Sequence, residues 1–305
     1  VSPDEVSAQK DVIVELRERK PYTLDLGGGA STAEGLRVFA GFADGNFLGT
    51  ALRLQVQGKA SIFFNQLLVL YADEVRPKIE SFYRQFSTFE RLEYEIALGL
   101  SYPRIFGLPS GFSAGLDVIA LRDYAPAFAE DAQNLTLVAN YKGYRPKILG
   151  RRRPLTLQLR GTFERSSLEC NEEIQRPELC STDLVQQPVG TFRLEGTYVF
   201  VSVGPQVSFD LRVDALDPNA GIYAELAQGT AVGFDPQSPD FVQLTGRFNG
   251  YVPIGDRLTA AASFSFGKIF TLGQGSNVPV NRRFFAGGRS TVRGYPERAL
   301  LPQDV

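Results

Sequence analysis

Four groups of residues carry the types and spacings from which chemistry is usually made. Glu93 with Glu95, and Asp210 with Asp214, are carboxylate pairs of the kind used for general acid–base work. Gly27-Gly28-Gly29 has the composition of a loop that cradles phosphate. Arg151-Arg152-Arg153 is a compact cationic cluster. The least generic stretch is Arg282 to Tyr295, reading Arg-Arg-Phe-Phe-Ala-Gly-Gly-Arg-Ser-Thr-Val-Arg-Gly-Tyr, a connection whose glycines let it fold back on itself.

The first three groups have plainer explanations. The chain contains no His, which removes the commonest general base and the usual nitrogen ligand for zinc, copper or iron. Residues spaced i, i+2 on a strand share a face, so a row of charges on a polar wall accounts for the acidic pairs without catalysis. The expectation is therefore no enzymatic activity, no metal site and no cofactor. No Gly-Lys-Ser/Thr follows the glycine run and no helical pattern opens after it, so it reads as part of a strand with soft pairing. Arg151-Arg152-Arg153 reads as a solvated turn or, at a membrane rim, as a contact for anionic head groups.

The elements that position these residues follow from composition and pattern. With 305 residues, 43% apolar and 22% charged, the chain can build one large domain. A formal charge of −2 and a pI near 5.5 lack the basic footprint of a nucleic-acid binder. No run approaches a transmembrane helix, so a membrane crossing requires a closed barrel, with which a mean hydropathy of −0.11 agrees. The chain begins Val-Ser-Pro, contains no Met and shows no signal-like segment, and so reads as a piece of a longer protein.

From Pro21 onward, apolar and polar residues alternate at period two. Leu155, Leu157, Leu159 and Phe163 against Thr156, Gln158, Arg160, Thr162 and Glu164 are one case, and Val207, Phe209, Leu211 and Val213 against Gln206, Ser208, Asp210, Arg212 and Asp214 another. A soluble sandwich can show such faces to water. About eleven repeats with long strands favour a barrel with a wet interior. Short turns at 45–49, 103–110, 150–154, 217–221 and 255–256 alternate with longer segments at 60–90, 125–132, 166–189 and 271–305, as periplasmic turns alternate with external loops. The segment Asp73 to Glu90 predicts a short helix. Around Gly204-Pro205 the pattern predicts a spanning strand Gln206 to Asp214 with Thr191 to Val203 as an extension above the membrane, or else one bulged strand. Trp is absent, so 12 Tyr and 23 Phe must supply the aromatic girdles. Cys170 and Cys180 lie in a polar stretch where an exported loop would carry a disulfide staple, the alternative being two free thiols.

The motifs resemble the bacterial outer-membrane assembly and secretion superfamily that includes BamA, TamA and FhaC, in which soluble POTRA domains precede a 16-stranded barrel. Arg283-Phe284-Phe285-Ala286-Gly287-Gly288 followed by Ser290-Thr291-Val292-Arg293-Gly294-Tyr295 corresponds to that family's signature in the sixth external loop. Asp44-Gly45-Asn46-Phe47-Leu48-Gly49 is similar to its passage into the barrel, Pro103-Arg104-Ile105-Phe106-Gly107 to its turn after the fourth strand, and Asp217 to Gly221 to a reduced form of a later turn.

The resemblance implies an all-β transmembrane barrel over 21–305, preceded at 1–20 by the end of a periplasmic POTRA domain, in the bacterial outer membrane. It implies that loop six tucks into the lumen with Arg293 as anchor, Gly294 making the turn, Val292 and Tyr295 packing beside it, and Arg283, Phe284, Phe285, Gly287 and Gly288 in support. It also implies that the first strand, with Tyr22, Leu24, Leu26, Gly27, Gly28 and Gly29, forms a lateral gate. The implied function is insertion of client outer-membrane proteins, with lipids and periplasmic or lipoprotein accessory subunits as further partners. A two-partner secretion pore and an adhesive barrel are the alternatives. About five C-terminal strands of such a barrel do not occur before Val305, and they must be supplied by the remainder of the protein or by another chain.

Overall fold

Period-two alternation is realised as a single antiparallel sheet of eleven long strands. The computed structural model describes residues 20–31, 35–62, 76–86, 91–105, 107–125, 128–143, 147–148, 151–152, 155–170, 196–235, 238–255, 257–272, 278–287 and 291–292. The strands are β1 (Tyr22–Ser31), β2 (Gly35–Phe47), β3 (Leu52–Ile62), β4 (Leu92–Tyr102), β5 (Phe112–Ala125), β6 (Phe128–Lys142), β9 (Leu155–Cys170), β10 (Gly196–Asp210), β11 (Gly221–Gly233), β12 (Asp240–Ile254) and β13 (Leu258–Leu272). They pair in chain order as an up-and-down meander. Between β6 and β9, β7 (Lys147–Ile148) and β8 (Arg151–Arg152) form a two-residue ribbon, so Arg151 and Arg152, expected in a turn, are strand residues opposite Ile148 and Lys147, and Arg153 lies outside the described residues. Helix α1 (Arg76–Gln85) falls inside the segment expected to be helical. No described helix is long and apolar enough to cross a membrane.

Strand β9 shows how the two faces are divided. Leu157, Leu159 and Phe163 lie exposed on the outer face, whereas Thr162, Glu164, Ser166 and Leu168 point to the face on which residues 278–287 are packed. Above Phe163 the pattern inverts, because the outward positions become Arg165, Ser167 and Glu169 while the inward ones become buried. An outer surface that is apolar below and polar above suits a strand that leaves hydrocarbon for water.

This inversion corrects two expectations about loops. β9 continues to Cys170, so residues 166–170 are strand rather than loop and Cys170 is its last residue. The segment 125–132 is not a long loop either, since Ala125 pairs with Phe128 and β6 starts there. Its charges suggest a loop, yet they are matched: Asp131 accepts two hydrogen bonds from Arg122 at 2.7 and 2.8 Å, and Glu130 accepts from Asn281 at 2.8 Å.

A third correction concerns 190–214. β10 is one continuous strand from Gly196 to Asp210, neither divided at Gly204-Pro205 nor bulged. Its register with β9 runs unbroken from Gly196 opposite Leu168 to Phe209 opposite Leu155. Against β11 the ladder lapses at Gly204 and Pro205 and resumes in the same register, as expected of a proline that has no N–H to donate. The regular strand ends at Asp210, not Asp214, although Leu211 N and Val213 N still donate to Ile222 O and Ala220 O.

Candidate functional site

The sheet gathers its buried apolar residues at one end. Phe128, Leu168, Tyr198, Phe200, Ala231 and Phe241 come from the same ends of β6, β9, β10, β11 and β12, and Val278 and Val280 from the segment after β13 complete the cluster. Tyr198 and Phe200 stack in parallel at 6.2 Å, and Phe200 meets Phe241 edge-on at 5.7 Å. Burying a large side chain of this kind is worth about 1.5–3 kcal/mol. The returning segment is thus held first by apolar packing.

Polar contacts then fix its register. A 3₁₀ turn at Val280–Arg282 points Asn281 and Arg282 at the wall. Asn281 Nδ2 donates to Glu130 Oε1 at 2.8 Å and reaches Ser166 Oγ at 3.4 Å. Arg282 forms an ion pair with Glu164, a carboxylate only 5% exposed. The backbone carbonyl of Arg282 accepts from Gln243 Nε2 at 3.2 Å. Burial pushes the Arg282 guanidinium below its ordinary range, opposed in part by the Glu130 charge. Burial pushes Arg283 down to about 10, and its Nε donates to Val278 O at 3.2 Å.

The expected support residues divide as follows. Phe284 lies over Gly267 of β13, where an added Cβ would come within 2.3 Å of the ring. Phe285 packs against the cluster, with its ring 6.2 Å from that of Phe128. Gly287 is buried with φ of 114°, a left-handed conformation that favours glycine. The Thr291 hydroxyl clasps it, accepting from Gly287 N at 2.8 Å and donating to Gly287 O at 2.5 Å. Val292 follows and is exposed. Gly288, Arg293, Gly294 and Tyr295 lie outside the described residues, so the anchor seen here is Arg282 together with Asn281.

On the first strand, Tyr22, Leu24 and Leu26 are exposed on the outer face. Gly27, Gly28 and Gly29 lie within β1 and pair in register with Phe39, Val38 and Arg37 of β2. The Phe39 ring covers Gly27 so closely that a Cβ would meet it at 2.3 Å. The far edge of β1 has no strand partner among the described residues, and neither has that of β13.

The acidic pairs have structural partners. Glu93 accepts from Ser61 Oγ at 3.0 Å, and Glu95 stands opposite Lys59. Asp210 binds Arg212 with both oxygens, while Asp214 accepts from the backbone N–H groups of Leu216 and Asp217. No cluster of metal-binding side chains occurs among the described residues. Cys170 is not a free thiol. Cys180, the other half of the expected staple, lies outside the described residues, as do residues 1–19.

The functional residues missed in the sequence are Glu130, Glu164, Gly267 and Asn281. Their one legible signal is parity, since Glu130 and Glu164 occupy inward positions beside buried apolar residues.

A profile of the Omp85 superfamily domain matches residues 46–305. No curated protein sequence matches the chain. Among solved structures, BamA from Haemophilus ducreyi lacking POTRA domains 1–3 superposes with a TM-score of 0.63 at 15% identity, covering 92% of this chain and 47% of that one. CdiB from Escherichia coli superposes with a TM-score of 0.51 at 14% identity, covering 92% and 45%. The chain therefore spans about half the length of these relatives, which share its fold. A returning loop pinned to the inner wall of a meander, and a profile match over most of the chain, establish that it belongs to the Omp85 superfamily.

Proposed function

We propose that the chain is the N-terminal part of the barrel of an outer-membrane assembly factor, which inserts client β-barrel proteins into the bacterial outer membrane. The observation that carries this reading is β1. It pairs with β2 at ten positions and carries three consecutive glycines, which weaken its packing. A strand held that softly can take a client strand on its other edge by backbone hydrogen bonding, with Tyr22, Leu24 and Leu26 facing lipid. No covalent chemistry is required. Arg293 anchors the tip of the returning loop in the lumen, where a planar five-donor guanidinium holds better than Lys. Outer-membrane lipids, a POTRA domain ending at 1–20, and periplasmic or lipoprotein subunits complete the assembly.

Depletion of the protein in its host tests the reading. Loss of many unrelated outer-membrane proteins is the expected result. Normal levels of those proteins with failed export of one dedicated polypeptide would instead assign a two-partner secretion pore.

A further inference from the structure

The outer face of the sheet changes character on β9 between Phe163 and Arg165. Below that point the outward residues Leu157, Leu159 and Phe163 are exposed, as are Leu137 and Leu135 of β6, opposite Gly161 and Phe163. Arg165 is the next outward residue, exposed and one alternation above Phe163. Register places it opposite Gln133 of β6 and Val199 of β10, neither of which carries charge. Ser167 follows on the same face.

The adjoining strands mark the boundary between hydrocarbon and water independently. Asp131, opposite Ser167, continues the row through Arg122 of β5 to Tyr94 of β4. Tyrosine concentrates at the level of lipid head groups, with its ring in hydrocarbon and its hydroxyl in water. A charge set deeper would be costly, so Arg165 stands at head-group height with acyl chains against Phe163 and Leu135 beneath it.

The charge of Arg165 is not cancelled by its surroundings. Asp131, the carboxylate nearest to it by register on this face, is held by Arg122 through both oxygens at 2.7 and 2.8 Å. Arg165 itself has no ion-pair partner among the described residues. Further donors flank it. The Gln133 amide lies directly opposite, and the Ser167 hydroxyl accepts from Thr197 Oγ1 at 3.4 Å, which leaves its own proton to donate. A planar guanidinium beside an amide and a hydroxyl suits a phosphate, which Arg binds bidentately.

We propose that Arg165, Gln133 and Ser167 bind the phosphate of an anionic membrane lipid whose chains lie along Phe163, Leu135 and Leu137. The site rests on the outer-membrane barrel fold and not on the client insertion proposed above. A lipid held there fixes the height of β9 relative to the head groups.

The test is native mass spectrometry of the full-length protein in detergent micelles with graded phosphatidic acid. Phosphatidylcholine of the same chain length is the zwitterionic control, and inorganic phosphate is the probe without chains. Phosphatidic acid should be retained in preference to phosphatidylcholine. Arg165→Gln should weaken retention of the tightest phosphatidic acid about fivefold, the scale of one exposed charged contact. Arg160→Gln removes the same charge from the inner face of the same strand and should leave retention unchanged. Heat-modifiable migration on gels verifies that both variants are folded. Equal retention in the unsubstituted protein and Arg165→Gln, equal losses in both variants, or phosphatidylcholine retained as well as phosphatidic acid overturns the proposal. Inorganic phosphate bound through Arg165 without retention of phosphatidic acid overturns the lipid as its source. Client assembly does not enter this readout, so a failure of either proposal leaves the other standing.

Discussion

Glu164 on β9 and Arg282 in the returning loop form an ion pair on the inner wall, with the carboxylate almost wholly removed from solvent. The pair ties the segment after the last described strand to the middle of the sheet. Two desolvated charges hold each other in place more than they stabilise the fold, because their attraction mainly offsets lost hydration.

Removing one partner is therefore far worse than removing both. Glu164→Gln should cost about 3 kcal/mol and expose the loop to limited proteolysis, since it leaves a buried guanidinium without its counter-charge. The double substitution Glu164→Leu with Arg282→Met should recover most of that loss. Urea denaturation of the single and double variants in micelles reads the difference. Equal losses in both would show that the charge pair is not the constraint.

Phe284 and Gly267 make a steric prediction. A Cβ at position 267 would come within 2.3 Å of the ring, so Gly267→Ala must displace Phe284. A cost of about 1–3 kcal/mol is expected, as for other overpacked sites. Gly267→Ala in a Phe284→Ala background should cost much less, and a thermal double-mutant cycle measures that coupling.

Asp214 carries the pH dependence of the turn between β10 and β11. The backbone N–H groups of Leu216 and then Asp217 hold its carboxyl below the usual carboxylate range. A group depressed in the folded state adds order that is complete above its ordinary pKa and is lost as pH falls through the lowered value. The protection of the Leu216 and Asp217 amides, measured against their intrinsic exchange rates at each pH, should fall on acidification below the normal carboxylate range. In Asp214→Asn that pH-dependent fall should disappear.

Arg293 is expected to pin the loop tip. Arg293→Ala should increase protease cleavage within 288–305 and reduce client assembly, with the sheet intact by circular dichroism. Unchanged protection and unchanged assembly would remove Arg293 from this role.

Much of this arrangement was legible along the chain. The eleven strands, the helix in the long connection after β3 and the turn after the fourth strand follow from alternation and turn residues, because strand periodicity is a local property. Charged pairs were harder to place. Glu130 and Asp131 look like loop residues, and only their partners Asn281 and Arg122 show why a strand can contain them. Gly204-Pro205 looks like a break, yet β9 supplies an unbroken ladder on the other side.

The sequence alone determined the fold class, the family and the identity of the returning loop, since these depend on patterns between near neighbours. The tertiary structure decided which residues hold that loop. Glu164, Gly267 and Phe128 meet Arg282, Phe284 and Phe285 only after the sheet has curved its inner face around the returning segment. No local rule encodes such meetings, because register between distant strands sets them.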